Sequence, residues 1–174
     1  LIYVTSLLKY FDVSFPTLNT EFWLSSIAAG LFQIAGTVCL VYLFSLRNFA
    51  VGTTYSKSEV FLTALVALIV FGEIIPIMGW VAITISVVGV LIINAARTKA
   101  AGMSSFESYW NKAAAVGLST GLCMAFSSLF IRKSGLSLGL DNALLSAATT
   151  LTAMVTMQAA VLLVYLGIRD RAQI

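Results

Sequence analysis

Long runs without a charged side chain are the feature that most constrains this sequence. Residues 22–46 form one such run of 25 residues, and further runs cover 74–96, 113–131 and 143–168. A helix needs about 20 mostly apolar residues to cross the roughly 30 Å hydrocarbon core of a bilayer. Only 10% of the residues are charged, whereas soluble domains carry about 25%. The pattern predicts an all-α integral membrane protein whose surroundings are the lipid bilayer.

A shorter run, Thr53 to Glu73, predicts another spanning helix, one that carries charges inside its span. Thirteen uncharged residues separate Glu59 from Glu73, which at a rise of ~1.5 Å each cover roughly 20 Å. A helix that spans the bilayer and ends near Gly72 must therefore begin near Thr53. Lys57 and Glu59 then lie below the membrane surface, where ionisable residues usually face a cavity, a partner or a transport path.

Lys57 and Glu59 are two positions apart, so on a helix their side chains diverge by about 200° and cannot neutralise each other. One interpretation makes them contacts for a substrate or a coupling proton. The alternative is geometric: a helix from Lys57 to about Ile75 would let the charges at its two ends reach the interfaces. Glu73 is interpreted as structural, since a carboxylate beside the N-terminus of the next helix is favoured by the helix dipole.

Polar side chains within the apolar runs are the candidate substrate-binding residues. Glu59, Lys57 and Tyr55 form the main group, with Gln33 and Asn94 behind them. Gln33 has an alternative role in a hydrogen bond between helices, which is common for an amide inside a span.

Catalysis and metal binding have little support in the composition. The chain contains no histidine, and neither a phosphate-binding loop nor a nucleophile motif is present. Cys39 and Cys123 fall inside apolar runs and are interpreted as small core residues rather than a disulfide or metal site. The net charge of +3 is too weak to indicate nucleic-acid binding. We therefore expect no enzyme activity, no cofactor and no metal.

The order of the runs predicts five membrane spans and part of a sixth. The spans are expected at about 22–46, 53–72, 74–96, 113–131 and 143–168, with residues 1–15 as the end of an incomplete helix. Residues 97–112 form the longest polar stretch and are the best candidate for a boundary, and Arg132 to Asn142 is expected to be a loop. Gly117 and Gly121 have the GxxxG spacing that allows close backbone contact between helices.

The stretch Tyr42 to Ile93 resembles the EamA-type transporters of the drug/metabolite transporter superfamily. The resemblance rests on the order of four features: Tyr42–Leu46 at a helix end, the polar start Tyr55–Glu59, Gly72 followed by Glu73, and a last helix with spaced glycines. That helix carries Gly79 and Gly89. Many members have proline where this chain has Val60, so the helix break that proline would introduce is not expected from the sequence.

The resemblance implies a ten-helix fold of two inverted five-helix repeats, of which this chain would be a fragment. Residues 1–96 would end the first repeat, 97–112 would connect the repeats, and 113–174 would begin the second. It also implies location in a bacterial inner (plasma) membrane, and a homodimer is left open. Loop charges favour a cytoplasmic 97–112 segment, whereas the family places it outside, so orientation stays open.

Two functions are compatible with these patterns. The first is a secondary transporter, an exporter of small metabolites or drug-like molecules that works by alternating access around a site near the bilayer midplane. The second is a membrane scaffold or accessory subunit that does not transport and whose buried charges pair with another protein.

Overall fold

The computed structural model describes residues 18–46, 52, 55–72, 74–100, 112–140 and 142–171. Throughout that part of the chain the regular secondary structure is helical, which confirms the all-α prediction. The helices, numbered here in chain order, are α1 Thr20–Phe44, α2 Glu59–Val70, α3 Ile77–Ala100, α4 Lys112–Ser137 and α5 Ala143–Arg171. The incomplete helix predicted at 1–15 lies outside the described residues.

Three of the predicted spans are confirmed as helices long and apolar enough to cross a membrane. They are α1, α4 and the part of α5 that ends at Arg169. The chain is therefore an integral membrane protein. Two shorter apolar helices accompany them, Glu59–Val70 and Ile77–Val90, the second being the apolar part of α3. The sequence predicts five spans and part of a sixth, whereas the described residues contain three helices that are long and apolar enough to span a membrane.

The predicted continuous span from Thr53 to Gly72 is wrong. Tyr55 and Ser56 are helical, but the chain turns at Lys57 and Ser58 before α2 begins. The 12 residues of α2 extend only about 18 Å at ~1.5 Å per residue, well short of the bilayer core. The geometric alternative, a helix from Lys57 to about Ile75, is wrong in its bounds, since α2 runs only from Glu59 to Val70. That the charges at its ends reach the interfaces stays a prediction.

The end of α2 and the start of α3 follow local rules. Gly72 has φ +65°, a left-handed conformation that glycine adopts easily and that commonly ends a helix. Pro76 directly precedes α3, and its carbonyl accepts hydrogen bonds from the N–H groups of Gly79 (2.8 Å) and Trp80 (3.2 Å). Proline suits this position because a first-turn N–H would lack a partner within the helix.

The chain divides into two compact units. One comprises Leu1–Leu31 and Ser127–Ile174, and the other comprises Phe32–Phe126. The first unit therefore holds the start of α1, the end of α4, and α5. The second holds the remainder of α1 and α4 together with α2 and α3, and in it α2 packs against α3.

In the first unit the start of α1 packs antiparallel to the end of α4. The Asn19 side chain accepts a hydrogen bond from Phe22 N (2.7 Å) and donates one to Ser137 O (3.0 Å). Further along, Ser127 Oγ donates to Ala29 O (3.0 Å). As the residue numbers on α1 increase from 19 to 29, the residue numbers of their partners on α4 decrease from 137 to 127, so the two helices run antiparallel.

The predicted loop from Arg132 to Asn142 is wrong over its first half, because α4 continues to Ser137. The sequence suggests an end at Ile131 because two cations follow it. Lys133 instead lies on the exposed helix surface, with Nζ 3.4 Å from Glu21 Oε1. This end of α4 also contacts α1 through Ser134 Oγ, 2.7 Å from Ser26 Oγ, and through Ser137 O, which accepts a hydrogen bond from Asn19.

Candidate functional site

The break before α2 contains three of the predicted site residues, all in the second unit. Tyr55, which is half-buried, is one of two helical residues before the turn. Lys57 is exposed in the turn, and Glu59 is the half-buried first residue of α2. The turn is closed by a hydrogen bond from Ser58 N to Tyr55 O (2.9 Å). Within the described residues, neither Lys57 nor Glu59 forms an ion pair.

Three glycines bring the backbone of this broken segment into contact with α4; we call Gly52, Gly117 and Gly121 the glycine seam. A Cβ built on Gly117 would collide with the carbonyl of Gly52. One built on Gly121 would lie 3.1 Å from Ser56 O and 3.3 Å from Glu59 N. The close approach predicted from the GxxxG spacing is therefore confirmed, and its partner is the segment that carries the break.

Glu59 begins α2 with little local support. The N-cap residue Ser58 has helical dihedral angles and makes no side-chain capping hydrogen bond. The Thr63 hydroxyl donates a hydrogen bond to Glu59 O (2.7 Å). The start of α2 thus lacks a side-chain cap and lies against Gly121 of α4.

The two remaining predicted residues lie on other helices of the second unit. Gln33 is half-buried on α1, and its carbonyl accepts the Thr37 hydroxyl at 2.8 Å. Asn94 belongs to α3, and its side chain lies outside the described residues. The structure therefore brings Tyr55, Lys57 and Glu59 together at one break, while a shared site with Gln33 and Asn94 stays a prediction.

No family model, curated protein or solved structure matches this chain. The resemblance to EamA-type transporters is therefore still a prediction that rests on the residues quoted above. The same holds for the repeat boundaries at 96 and 112 and for the transport function.

A second polar feature, in the first unit, is not anticipated by the sequence reasoning. We call it the hydroxyl cluster: Ser26 of α1, Ser127 and Ser134 of α4, and Ser146 and Thr150 of α5, all buried. Ser26 Oγ and Ser134 Oγ are 2.7 Å apart, and Ser146 Oγ donates to Gly135 O at 2.6 Å. The spacing of these residues could have revealed the cluster. Ser127 and Ser134 are seven positions apart on α4, and Ser146 and Thr150 are four positions apart on α5, so each pair lies on one helix face.

The two cysteines lie in the second unit as separate thiols. Both are partly buried and neither is in a disulfide. Cys123 Cβ lies 3.3 Å from the position that a Cβ on Gly36 would occupy. Cys123 therefore packs where α1 and α4 approach closely, a place that suits a small side chain.

Proposed function

We propose that this chain belongs to a secondary transporter that moves small polar or amphipathic metabolites across a membrane by alternating access. The observation that carries the proposal is the interrupted helix at Lys57 and Ser58, which leaves a cation and a carboxylate at the break. It is accompanied by three helices long enough to span the bilayer. In the proposal the break lines the substrate path.

In the proposal the break lies at membrane depth, where bilayer physics favours a cavity around it. Non-helical backbone at membrane depth persists only where it is buried in protein or faces a water-filled space, because lipid offers no hydrogen-bond partners. A charged side chain at that depth is costly for the same reason and marks ion or substrate pathways. Lys57 is exposed and Glu59 half-buried, so both side chains can meet a solute that enters such a space.

Discontinuous helices are also a recurrent device of secondary transporters, in which half-helix ends hold substrates or ions while packed elements rock around them. The glycine seam lets the broken segment and α4 touch backbone to backbone. Under the resemblance, the broken segment belongs to the first repeat and α4 to the second. Export, the EamA type and the bacterial inner membrane are parts of the proposal that rest on that resemblance alone.

The experiment is transport in proteoliposomes made with the complete natural protein. Ethidium serves as an amphipathic cationic probe and an amino-acid mixture as a polar one, each with and without an imposed pH gradient. Glu59→Gln is expected to abolish or strongly reduce flux driven by the gradient. Glu21→Gln is the matched control, because Glu21 is an exposed carboxylate paired with Lys133. Equal flux and equal pH dependence in the wild type and Glu59→Gln would remove Glu59 from the mechanism.

A second candidate, the accessory membrane subunit, is favoured by the surface of α5. Every residue from Ala159 to Arg169 is exposed, so this part of the helix packs against no other helix among the described residues. A subunit that docks helices of another protein would cover it. The test is purification of the protein from native membranes in mild detergent. Co-purification of a second membrane protein at fixed stoichiometry, together with no transport of either probe, would favour this candidate over the transporter.

A further inference from the structure

Thr150 presents a buried hydroxyl that has no hydrogen-bond partner among the described residues. Its side chain is on α5 and only 1% exposed, and Thr150 Oγ1 makes no hydrogen bond to that part of the chain. A buried hydroxyl without a partner costs about 1–3 kcal/mol. Thr149 and Thr156, on the same helix, each donate to a carbonyl four residues earlier. The Thr150 hydroxyl is therefore directed elsewhere.

Its direction is toward Gly135 of α4. A Cβ built on Gly135 would lie 3.7 Å from Thr150 Oγ1 and 3.1 Å from Ser146 Oγ. The hydroxyls of Ser146 and Thr150 thus both lie close to the position that a Gly135 side chain would occupy. Ser146 Oγ already donates to Gly135 O at 2.6 Å, and Leu138 N donates to the same carbonyl at 3.4 Å. The lone pairs of Ser146 Oγ are therefore the acceptors that remain.

We propose that one ordered water molecule binds between Thr150, Ser146 and Gly135 and completes the hydroxyl cluster. The water accepts a hydrogen bond from the Thr150 hydroxyl and donates one to Ser146 Oγ. Buried waters in proteins have about two to four such polar partners. The groups placed here are all neutral, which favours water over a cation. The site lies seven residues after the start of α5, or about 10 Å along the helix.

The first test is a structure of the full chain in a lipidic phase, at a resolution that shows ordered water. We expect a density peak within about 3.2 Å of Thr150 Oγ1. Absence of that peak in the wild type overturns the proposal. In Thr150→Val, which keeps the shape and removes the hydroxyl, the peak is expected to vanish, and in Thr150→Ser it is expected to remain.

Thermal unfolding gives an independent readout. We expect Thr150→Val to lower the unfolding midpoint by several degrees, because it breaks the water's bonds, and Thr150→Ser to lower it less. Thr156→Val is the matched control: Thr156 is exposed on the same helix and bonds only to Thr152 O at 2.7 Å, so its midpoint should hardly change. A raised midpoint in Thr150→Val would show an empty site. Stabilisation by sodium but not by choline would show a cation instead, and either result overturns the proposal.

Discussion

Gly117 of α4 lies directly against the backbone of Gly52, and neither position has room for a side chain. A Cβ on Gly117 would meet the Gly52 carbonyl, and a Cβ on Gly52 would meet Leu43 and the carbonyl of Ala113. Backbone contact of this kind is how small residues hold membrane helices together where no hydrophobic force does so. The contact joins a spanning helix to the segment that breaks before α2.

The Gly117→Ala variant is expected to be clearly destabilised. The added methyl group has to displace backbone rather than a flexible side chain, and overpacking typically costs about 1–3 kcal/mol. Unfolding in mixed detergent micelles measures the loss. Gly89→Ala is the matched control, because no atom lies within 4 Å of its added Cβ. If both variants unfold alike, the close contact does not contribute to stability.

Ser134→Ala is expected to cost more stability than Ser26→Ala, although the two hydroxyls share one hydrogen bond. Ser134 is fully buried and can also donate to Phe22 O at 3.3 Å, so it keeps a partner when Ser26 is replaced. Side-chain hydrogen bonds between membrane helices contribute about 0.6 kcal/mol on average. A double-mutant cycle measures the coupling. Ser119→Ala, which loses only a bond to Ala115 O on the exposed side of α4, should show no coupling to Ser26→Ala.

Glu21→Gln is expected to leave stability nearly unchanged. Its ion pair with Lys133 has a separation of 3.4 Å, with side chains 58% and 46% exposed. Exposed pairs of this type contribute about 0–1 kcal/mol, and salt screens them. The measurement is unfolding at low and high ionic strength. A large loss at both salt concentrations would mean that the pair is shielded from water.

Gly72→Ala is expected to cost about 1–2 kcal/mol, the usual penalty for a left-handed conformation in a residue with a Cβ. The φ of Gly72 is +65°, and no atom lies within 4 Å of an added Cβ, so crowding plays no part. Gly72→Asn should cost less, since asparagine tolerates this conformation. Unfolding of the three proteins checks the order, and an alanine variant as stable as the wild type would contradict it.

Asn142→Ala is expected to lose about 0.5–2 kcal/mol through loss of a helix cap. Asn142 Oδ1 accepts hydrogen bonds from Leu144 N (3.0 Å) and Leu145 N (3.4 Å) at the start of α5. Asn142→Asp keeps that acceptor and should remain near the wild type. The two variants are compared by unfolding and by helicity, and equal losses in both would argue against the cap.

Helix positions that depend on local composition were predictable. The runs at 22–46 and 143–168 correspond to α1, Thr20–Phe44, and to α5, Ala143–Arg171. Hydropathy sums the transfer free energy of residues one at a time, so a long uncharged run is sufficient to predict such a helix. The end of α2 at Val70, close to Gly72, was likewise predictable, because glycine just beyond a helix adopts the left-handed conformation easily.

The break at Lys57 and Ser58 and the full length of α4 were decided by tertiary structure. Neither position carries a proline, so the residues from Thr53 onward suit a continuous helix as well as an interrupted one. What separates the alternatives is the contact of the broken segment with Gly117 and Gly121, more than fifty residues further on in the sequence. Such contacts depend on partners that no local window contains. The sequence alone therefore determined that this chain enters the membrane. The tertiary structure decided that the helix carrying Lys57 and Glu59 is interrupted at Lys57 and Ser58.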